Sequence, residues 1–329
     1  MEKVAVIGSN SFSGSHFIDF LLEKTECDIL GISRSPEKNA VFLPYKNRNS
    51  KKFTFYQMDL NKNIKEMIDL FDKEKPDVIV NFSAQSEVGP SWKNPEQWFR
   101  TNCIGIANLT YGLKDKKYLK KYVHISSPEV YGTCEGIIKE SAPYNPSTPY
   151  AASKSAGDLF LFVLVKNFNF PLVMIRSTNV YGPHQQLFKI IPRSIIYIKM
   201  KKKIQLHGGG KAVKSFIYIR DVCDGYYRAI NKGKTGEIYH FSPKSGYVVR
   251  DIVQMICNKM NVEFNDAVEI VDERLGQDAY YVIDSSKAKR ELGWKTQVNI
   301  SDGLDRVIDW INRDWEIIKT QPLEYIHKP

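Results

Sequence analysis

The chain is poor in cysteine and has no cysteine pairing pattern. Cys27, Cys103, Cys134, Cys223 and Cys257 are dispersed over 329 residues, with no C-x-x-C pair. That usage argues against a disulfide framework and a cysteine-built zinc site, and reads as reduced cytosolic thiols. No apolar run approaches the length of a transmembrane helix. The opening MEKVAVIGSN starts a strand at once, without the apolar run and cleavage site of a signal peptide. Internal repeats, linkers and low-complexity tracts are also missing. The expectation is a cytoplasmic chain with no metal and no membrane association. A net charge of +10 raises nucleic acid as a partner, but the basic residues are scattered and form no basic helix. The densest run, Lys199-Met-Lys-Lys-Lys203, reads as the solvated end of a helix. A phosphorylated small substrate suits the excess, and no nucleic-acid partner is expected.

What is present is an alternating pattern. VAVIG (4–8), DILGI (28–32), FTFYQ (53–57), DVIVNFS (77–83), YVHIS (122–126) and LVMIRS (172–177) read as buried strands. They are rich in Val and Ile and nearly continuous in apolar residues, as parallel strands covered on both faces are. Helical stretches such as 16–23 and 64–73 lie between them. This alternation predicts a doubly wound α/β domain of the Rossmann type. After Tyr181-Gly-Pro the pattern changes. IIPRSIIYIKMKKK reads as helix, and IQLHGGGKAVKSFIYIRD as strand, glycine loop and strand. EIYHFS (237–242) reads as a last strand of the first domain, followed by two amphipathic helices. The expected division is a dinucleotide-binding domain of residues 1–178 plus about 216–243. A smaller mixed α/β lobe of 179–215 plus 244–329 would bind substrate.

Four segments carry chemistry. Gly8-Ser-Asn-Ser-Phe-Ser-Gly14 follows the first strand and opens a helix, where glycine lets backbone approach a pyrophosphate and the helix N-terminus favours its charge. The usual middle glycine is absent, and Ser11 stands there. Gly8, Ser11, Phe12, Ser13 and Gly14 are the candidate cofactor contacts of this loop. The second strand ends in Ser33-Arg34-Ser35 and lacks the carboxylate that would meet a ribose 2′-hydroxyl. Arg34 suits a 2′-phosphate, which favours NADP, with NAD the second choice. Asp59 and Leu60, after strand three, are placed to meet the adenine edge, although Asp59 also reads as a helix cap. In His124-Ile-Ser-Ser-Pro-Glu-Val-Tyr-Gly132, Ser127 can hydrogen-bond a substrate hydroxyl and Glu129 can act as a base. Ser-Ser-Pro-Glu also reads as a helix start. Finally, Tyr150 and Lys154 sit four residues apart on one predicted helix face. An ammonium beside the phenol is expected to lower its pKa and let it take a proton from a sugar hydroxyl.

Together these segments resemble the extended short-chain dehydrogenase/reductase family, most closely its nucleotide-sugar 4,6-dehydratases of the dTDP-glucose and GDP-mannose groups. The likeness also runs through NFSAQS (81–86), TNCIG (101–105), STNVYGP (177–183), KIIPR (189–193), SFIYIRDVCDG and ERLGQD…DSSKAKRELGW (273–294). The resemblance implies a redox triad of Ser127, Tyr150 and Lys154, with Glu129 as the base that removes the sugar C5 proton. It implies cofactor contacts at Gly8, Gly14, Asp59, Leu60, Ala84 and Lys154. Asn179, Lys189 and Ile190 match positions that hold the nucleotide-sugar, and Arg274 an arginine on its phosphates. Ser86 and Arg193 fall in matching motifs and join the substrate candidates.

Two positions depart from the dTDP-glucose pattern. Pro128 replaces an aspartic acid that helps the C6 hydroxyl leave, as it is also replaced in GDP-mannose enzymes that use NADP. Lys214 replaces an arginine and can bind phosphate only as a point charge. The implied reaction converts a nucleotide-hexose to a 4-keto-6-deoxy product by internal hydride transfer and loss of water. A 4-epimerase or a UDP-glucuronate-type decarboxylase shares the first step and is the alternative. The family usually dimerises through a four-helix bundle, and Leu159, Phe160 and Val163 are available for it. A role in polysaccharide precursor synthesis follows from the resemblance alone.

Overall fold

The computed structural model describes residues 1–48, 50–133, 136–272 and 282–328. The predicted Arg274 therefore lies outside the described residues.

The apolar runs form one seven-stranded parallel sheet. Its strands are β1 (Lys3–Ile7), β2 (Asp28–Ser33), β3 (Phe53–Gln57), β4 (Val78–Asn81), β5 (Lys121–Ile125), β6 (Leu172–Ser177) and β7 (Glu237–Phe241). They lie in the order β7-β6-β5-β4-β1-β2-β3. The order reverses between β1 and β4, where Val4 sits between Ile29 on one side and Val78 on the other. In an open parallel sheet this switch point leaves a crevice at the strands' carboxyl ends. The residues after β1 and β4 line that crevice here.

Helices cover both faces. They include α1 (Phe12–Lys24), α2 (Ile64–Glu74), α3 (Ile106–Leu113) and α4 (Pro149–Phe168). The stretch read as strand through Asp221 is different. Strand pairing stops at Tyr218, and α5 (Ile190–Lys199) is followed later by α6 (Ile219–Lys232). The reason is the spacing of buried residues at Ile219, Val222, Cys223, Tyr226, Ala229 and Ile230, which recurs every three or four positions. Beyond β7 come α7 (Val249–Lys259) and α8 (Ile300–Arg313). A parallel pair, Ile204–His207 with Val268–Val271, packs with α7 around Leu206, Val253 and Phe264. Leu304, Val307 and Trp310 of α8 join the same apolar cluster as Val4 and Val6 of β1, so one core runs through both parts. Among the described residues no helix is long and apolar enough to cross a membrane.

Three histidines are built into this core uncharged. Burial lowers His16 to about 3, His124 to about 4 and His240 to about 3. The unfolded chain takes up their protons near pH 6.5, whereas the folded chain does not. Folding therefore binds fewer protons, and stability falls as pH drops below about 6.5. Urea midpoints measured between pH 7.5 and 5 should decline before the carboxylates titrate, and a flat profile would contradict the assignment.

Candidate active site

The cleft at the switch point has a volume of about 650 Å³ and is walled by Gly8, Ser11, Phe12, Arg34, Asp59, Leu60, Ala84 and Ser86 among others. Gly8 has a φ of +84°, and a Cβ there would lie 2.9 Å from the backbone of Phe82 and Ser83. A Cβ on Gly14 would lie 2.3 Å from the Gly8 carbonyl. Both glycines are thus required for the close approach of loop, strand and helix. Ser11 takes the middle position because its task is different. It is the N-cap of α1, its backbone is extended at φ −76°, and its Oγ accepts from the Gly14 N–H at 3.0 Å. The remaining free N–H groups of α1 and a glycine cradle without side chains fit the pyrophosphate of a dinucleotide. Ser13 does not line the cleft; its hydroxyl bonds the buried Tyr226 instead.

Asp59 serves both readings made from the sequence. Its residue lines the cleft, while Oδ1 accepts from the Asn61 N–H at 2.7 Å and fixes its own turn. The loop after β4 is pinned by Asn102. Asn102 exchanges hydrogen bonds with the Gln85 backbone and donates to Ser153 on α4 at 3.0 Å. This ties Ala84 and Ser86 to the helix that carries Tyr150 and Lys154.

Ser127 follows β5 and caps a short 3-10 turn, Pro128–Tyr131, accepting from the Glu129 N–H at 3.3 Å. Pro128 suits the first position of that turn because it needs no N–H there. Tyr150 opens α4, whose N-cap is Thr148, and is 8% exposed. Burial raises its pKa, the Glu129 charge raises it further, and a hydrogen bond with Ser127 opposes both. Ser127, Glu129 and Tyr150 are therefore in one electrostatic neighbourhood. The expected lowering of the phenol by Lys154 is absent. Lys154 is 1% exposed, and its ammonium donates to the Ile125 carbonyl at 2.9 Å and lies 3.4 Å from His124 Nε2. Burial brings Lys154 down to about 8. In this arrangement the ammonium is aimed at the strand end and not at the phenol.

Behind Lys154 lies a group that the sequence reading passed over. Asp158, one turn further along α4, is fully buried and accepts from Arg176 Nη2 at 2.9 Å and from the Ser126 and Tyr144 hydroxyls. Arg176 is itself fully buried, between the Tyr131 and Tyr144 rings. The clue was present: an acid four residues after Lys154 occupies the same helix face.

The predicted substrate residues lie on the other side of the cleft. Asn179 donates to the Ser215 carbonyl at 3.2 Å, and Lys189 caps the start of α5 and pairs with Glu87 at 2.7 Å. Ile190 is the first residue of α5, and Arg193 lies one turn on, over the Tyr197 ring. Lys214 sits in a two-residue strand paired with Tyr247–Val248. Among the described residues no cluster of His, Cys, Asp or Glu could hold a metal ion.

Asp158→Asn should cost about 3–5 kcal/mol, because it leaves Arg176 as an unpaired buried charge. Chemical denaturation measures this; a loss under about 1 kcal/mol would show that Arg176 is not held by Asp158.

The comparisons with known proteins agree with this geometry. The family model of GDP-mannose 4,6 dehydratase matches residues 6–307. The dTDP-glucose 4,6-dehydratase of Haemophilus influenzae is 27% identical, over 94% of this chain and 98% of that protein. The human dTDP-D-glucose 4,6-dehydratase is 29% identical, over 95% and 91%. The structure of the Streptomyces venezuelae dTDP-glucose 4,6-dehydratase with NAD and TYD bound superposes with a TM-score of 0.88 at 27% identity, over 96% and 98% of the two chains. A Bacillus cereus UDP-glucuronic acid 4-epimerase, solved with its substrate and NAD, gives 0.87 at 27% identity over 94% and 99%. With a doubly wound sheet, a glycine cradle at its switch point and a family match across most of its length, the chain belongs to the GDP-mannose 4,6-dehydratase family of extended short-chain dehydrogenase/reductases.

Proposed function

We propose that this protein is a nucleotide-sugar 4,6-dehydratase that works with Ser127, Tyr150 and Lys154 at the sugar C4 and Glu129 at C5. The observation that carries the reading is the Glu129 carboxylate acting on the buried Tyr150 phenol, with Ser127 bonded to the same phenol. A bound nicotinamide dinucleotide supplies a hydride acceptor at C4 and returns the hydride at C6. Tyr150 takes the C4 hydroxyl proton, and Ser127 orients that hydroxyl. The 4-ketone acidifies the C5 hydrogen, which Glu129 removes as water leaves C6. Pro128 has no proton to give, so the departing hydroxyl is protonated by Glu129 or by water. The product is a 4-keto-6-deoxy sugar nucleotide.

Cofactor choice follows from the end of β2. Ser33, Arg34 and Ser35 line the cleft and no carboxylate stands among them, which supports NADP over NAD. Asn179, Lys189, Ile190, Arg193 and Lys214 are the proposed contacts of the nucleotide-sugar. Arg274 is proposed on the family match alone. The proposed setting is the cytoplasm, where the five thiols stay reduced.

A homodimer is also part of this reading. Leu159 and Val163 on α4 are 53% and 51% exposed, and Tyr111 on α3 is 57% exposed. The i,i+4 pair makes an apolar stripe that a second copy can cover. Phe160 is partly buried against the core and is not part of that stripe. Leu159→Asp with Val163→Asp should give a monomer in sedimentation velocity with the fold retained; an unchanged sedimentation coefficient would refute this interface.

Incubation with GDP-, dTDP-, UDP- and CDP-hexoses, read by product mass, should show loss of one water from one donor. Unchanged mass with a new stereoisomer would mean an epimerase, and loss of carbon dioxide from a uronate a decarboxylase. Tyr150→Phe should abolish C4 oxidation. Glu129→Gln should keep C4 oxidation and lose elimination. Removing the Glu129 charge also eases ionisation of Tyr150, so the rising limb of C4 oxidation should move to lower pH. A limb that stays in place or moves up would break the link between the two residues.

A further inference from the structure

A segment outside both the sheet and the loops of the site completes the cleft. Gln321, Pro322, Glu324, Tyr325, Ile326 and Lys328 line the same cavity as the glycine loop. The segment is fastened to both sides of it. On the substrate side, Glu324 accepts from the Tyr197 hydroxyl at 3.1 Å and lies 3.8 Å from Arg193, and the Tyr325 ring meets Phe188 edge-on at 5.4 Å. On the dinucleotide side, His327 stacks on the buried Trp98 with centroids 5.3 Å apart and planes 6° from parallel, and bonds Gln97 at 2.6 Å. The Lys328 carbonyl accepts from Arg34 Nη2 at 2.9 Å and from Gln85 Nε2 at 2.8 Å. Arg34 ends β2 and Gln85 follows β4, so the segment spans the mouth of the crevice at its adenosine end.

The charges there have one sign. Arg34, Lys38 and Lys328 all line this wall. Lys38 is an exposed residue, yet protein crowds its ammonium, and desolvation followed by the Lys328 charge lowers its pKa. The carboxylates on the cavity wall are engaged elsewhere. Glu87 pairs with Lys189, Glu324 faces Tyr197 and Arg193, and Asp59 closes its own turn. Cations brought together by remote parts of the chain, with no acid between them, make a recess for a dianionic phosphate.

We propose that the segment Gln321–Lys328 is a wall of the dinucleotide site, and that Lys328 joins Arg34 and Lys38 in a recess for a phosphate monoester on the adenosine ribose. This rests on the NADP reading above and assigns its recognition to residues that the glycine loop does not supply. The segment's two anchorages make it a strap that must loosen before the cofactor exchanges.

The test uses the full chain, stripped of cofactor, with NADP and NAD titrated separately by calorimetry. Lys328→Ala should weaken NADP about tenfold, the loss of one charge-assisted contact, and change NAD less than about twofold. Lys328→Arg should restore NADP binding. His327→Ala, which loses the Trp98 stack and keeps every cation, should speed release of bound cofactor several-fold in a chase experiment. If the wild type binds NADP more tightly but Lys328→Ala changes neither cofactor, or weakens both equally, the recess is refuted and the NADP reading stands. A wild type that prefers NAD overturns the NADP reading and this inference with it.

Discussion

The site depends on one buried carboxylate. Asp158 has no water to solvate it, so its charge is tolerable only because Arg176 and two hydroxyls surround it. These partners come from β5, from β6 and from the loop before α4. Satisfying Asp158 therefore fixes the register of α4 against the sheet. Lys154 stands one turn before it on the same helix and is delivered to the end of β5, where the Ile125 carbonyl receives its ammonium. Tyr150 follows from the same helix setting. A buried ion pair adds little net stability over an apolar pair, but it permits few alternative packings, and at this site that restriction is useful.

The second constraint is the crevice. Parallel strands that reverse order between β1 and β4 leave a gap that helices cannot fill, and the chain narrows it with glycines on one side and with α5 on the other. The Glu87–Lys189 pair crosses this gap. A nucleotide-sugar that approaches Lys189 must therefore compete with an existing partner, so part of the binding energy is spent on parting the pair.

The sheet was legible because buried parallel strands leave a nearly unbroken apolar run, and the site loops because they sit at strand ends. What was not legible has physical causes. The helix after Tyr218 was hidden because FIYI is apolar and β-prone at the point where pairing ends, and only the later spacing from Val222 onward betrays the turn to helix. The phenol's chemistry was misjudged because sequence spacing places Tyr150 and Lys154 on one face but says nothing of where a long ammonium side chain ends. Burial and the Ile125 carbonyl decide that. Lys328 gave no local signal, since a lysine in a polar tail reads as solvated unless its remote neighbours are known. Ser11 reads as a defective glycine motif in one dimension and as a helix cap in three.

The order in which the sheet closes has a kinetic consequence. β7 pairs with β6, yet between them the chain leaves the sheet, builds α5, the strand Ile204–His207 and α6, and then returns. The loop to be closed is long, and its entropy must be overcome before the pairing gives any return. Until β7 arrives, β6 presents an unpaired apolar edge, the kind of surface on which chains meet their own copies. During synthesis this places the period of greatest risk after the catalytic tyrosine and lysine have been made but before the strand that covers the β6 edge.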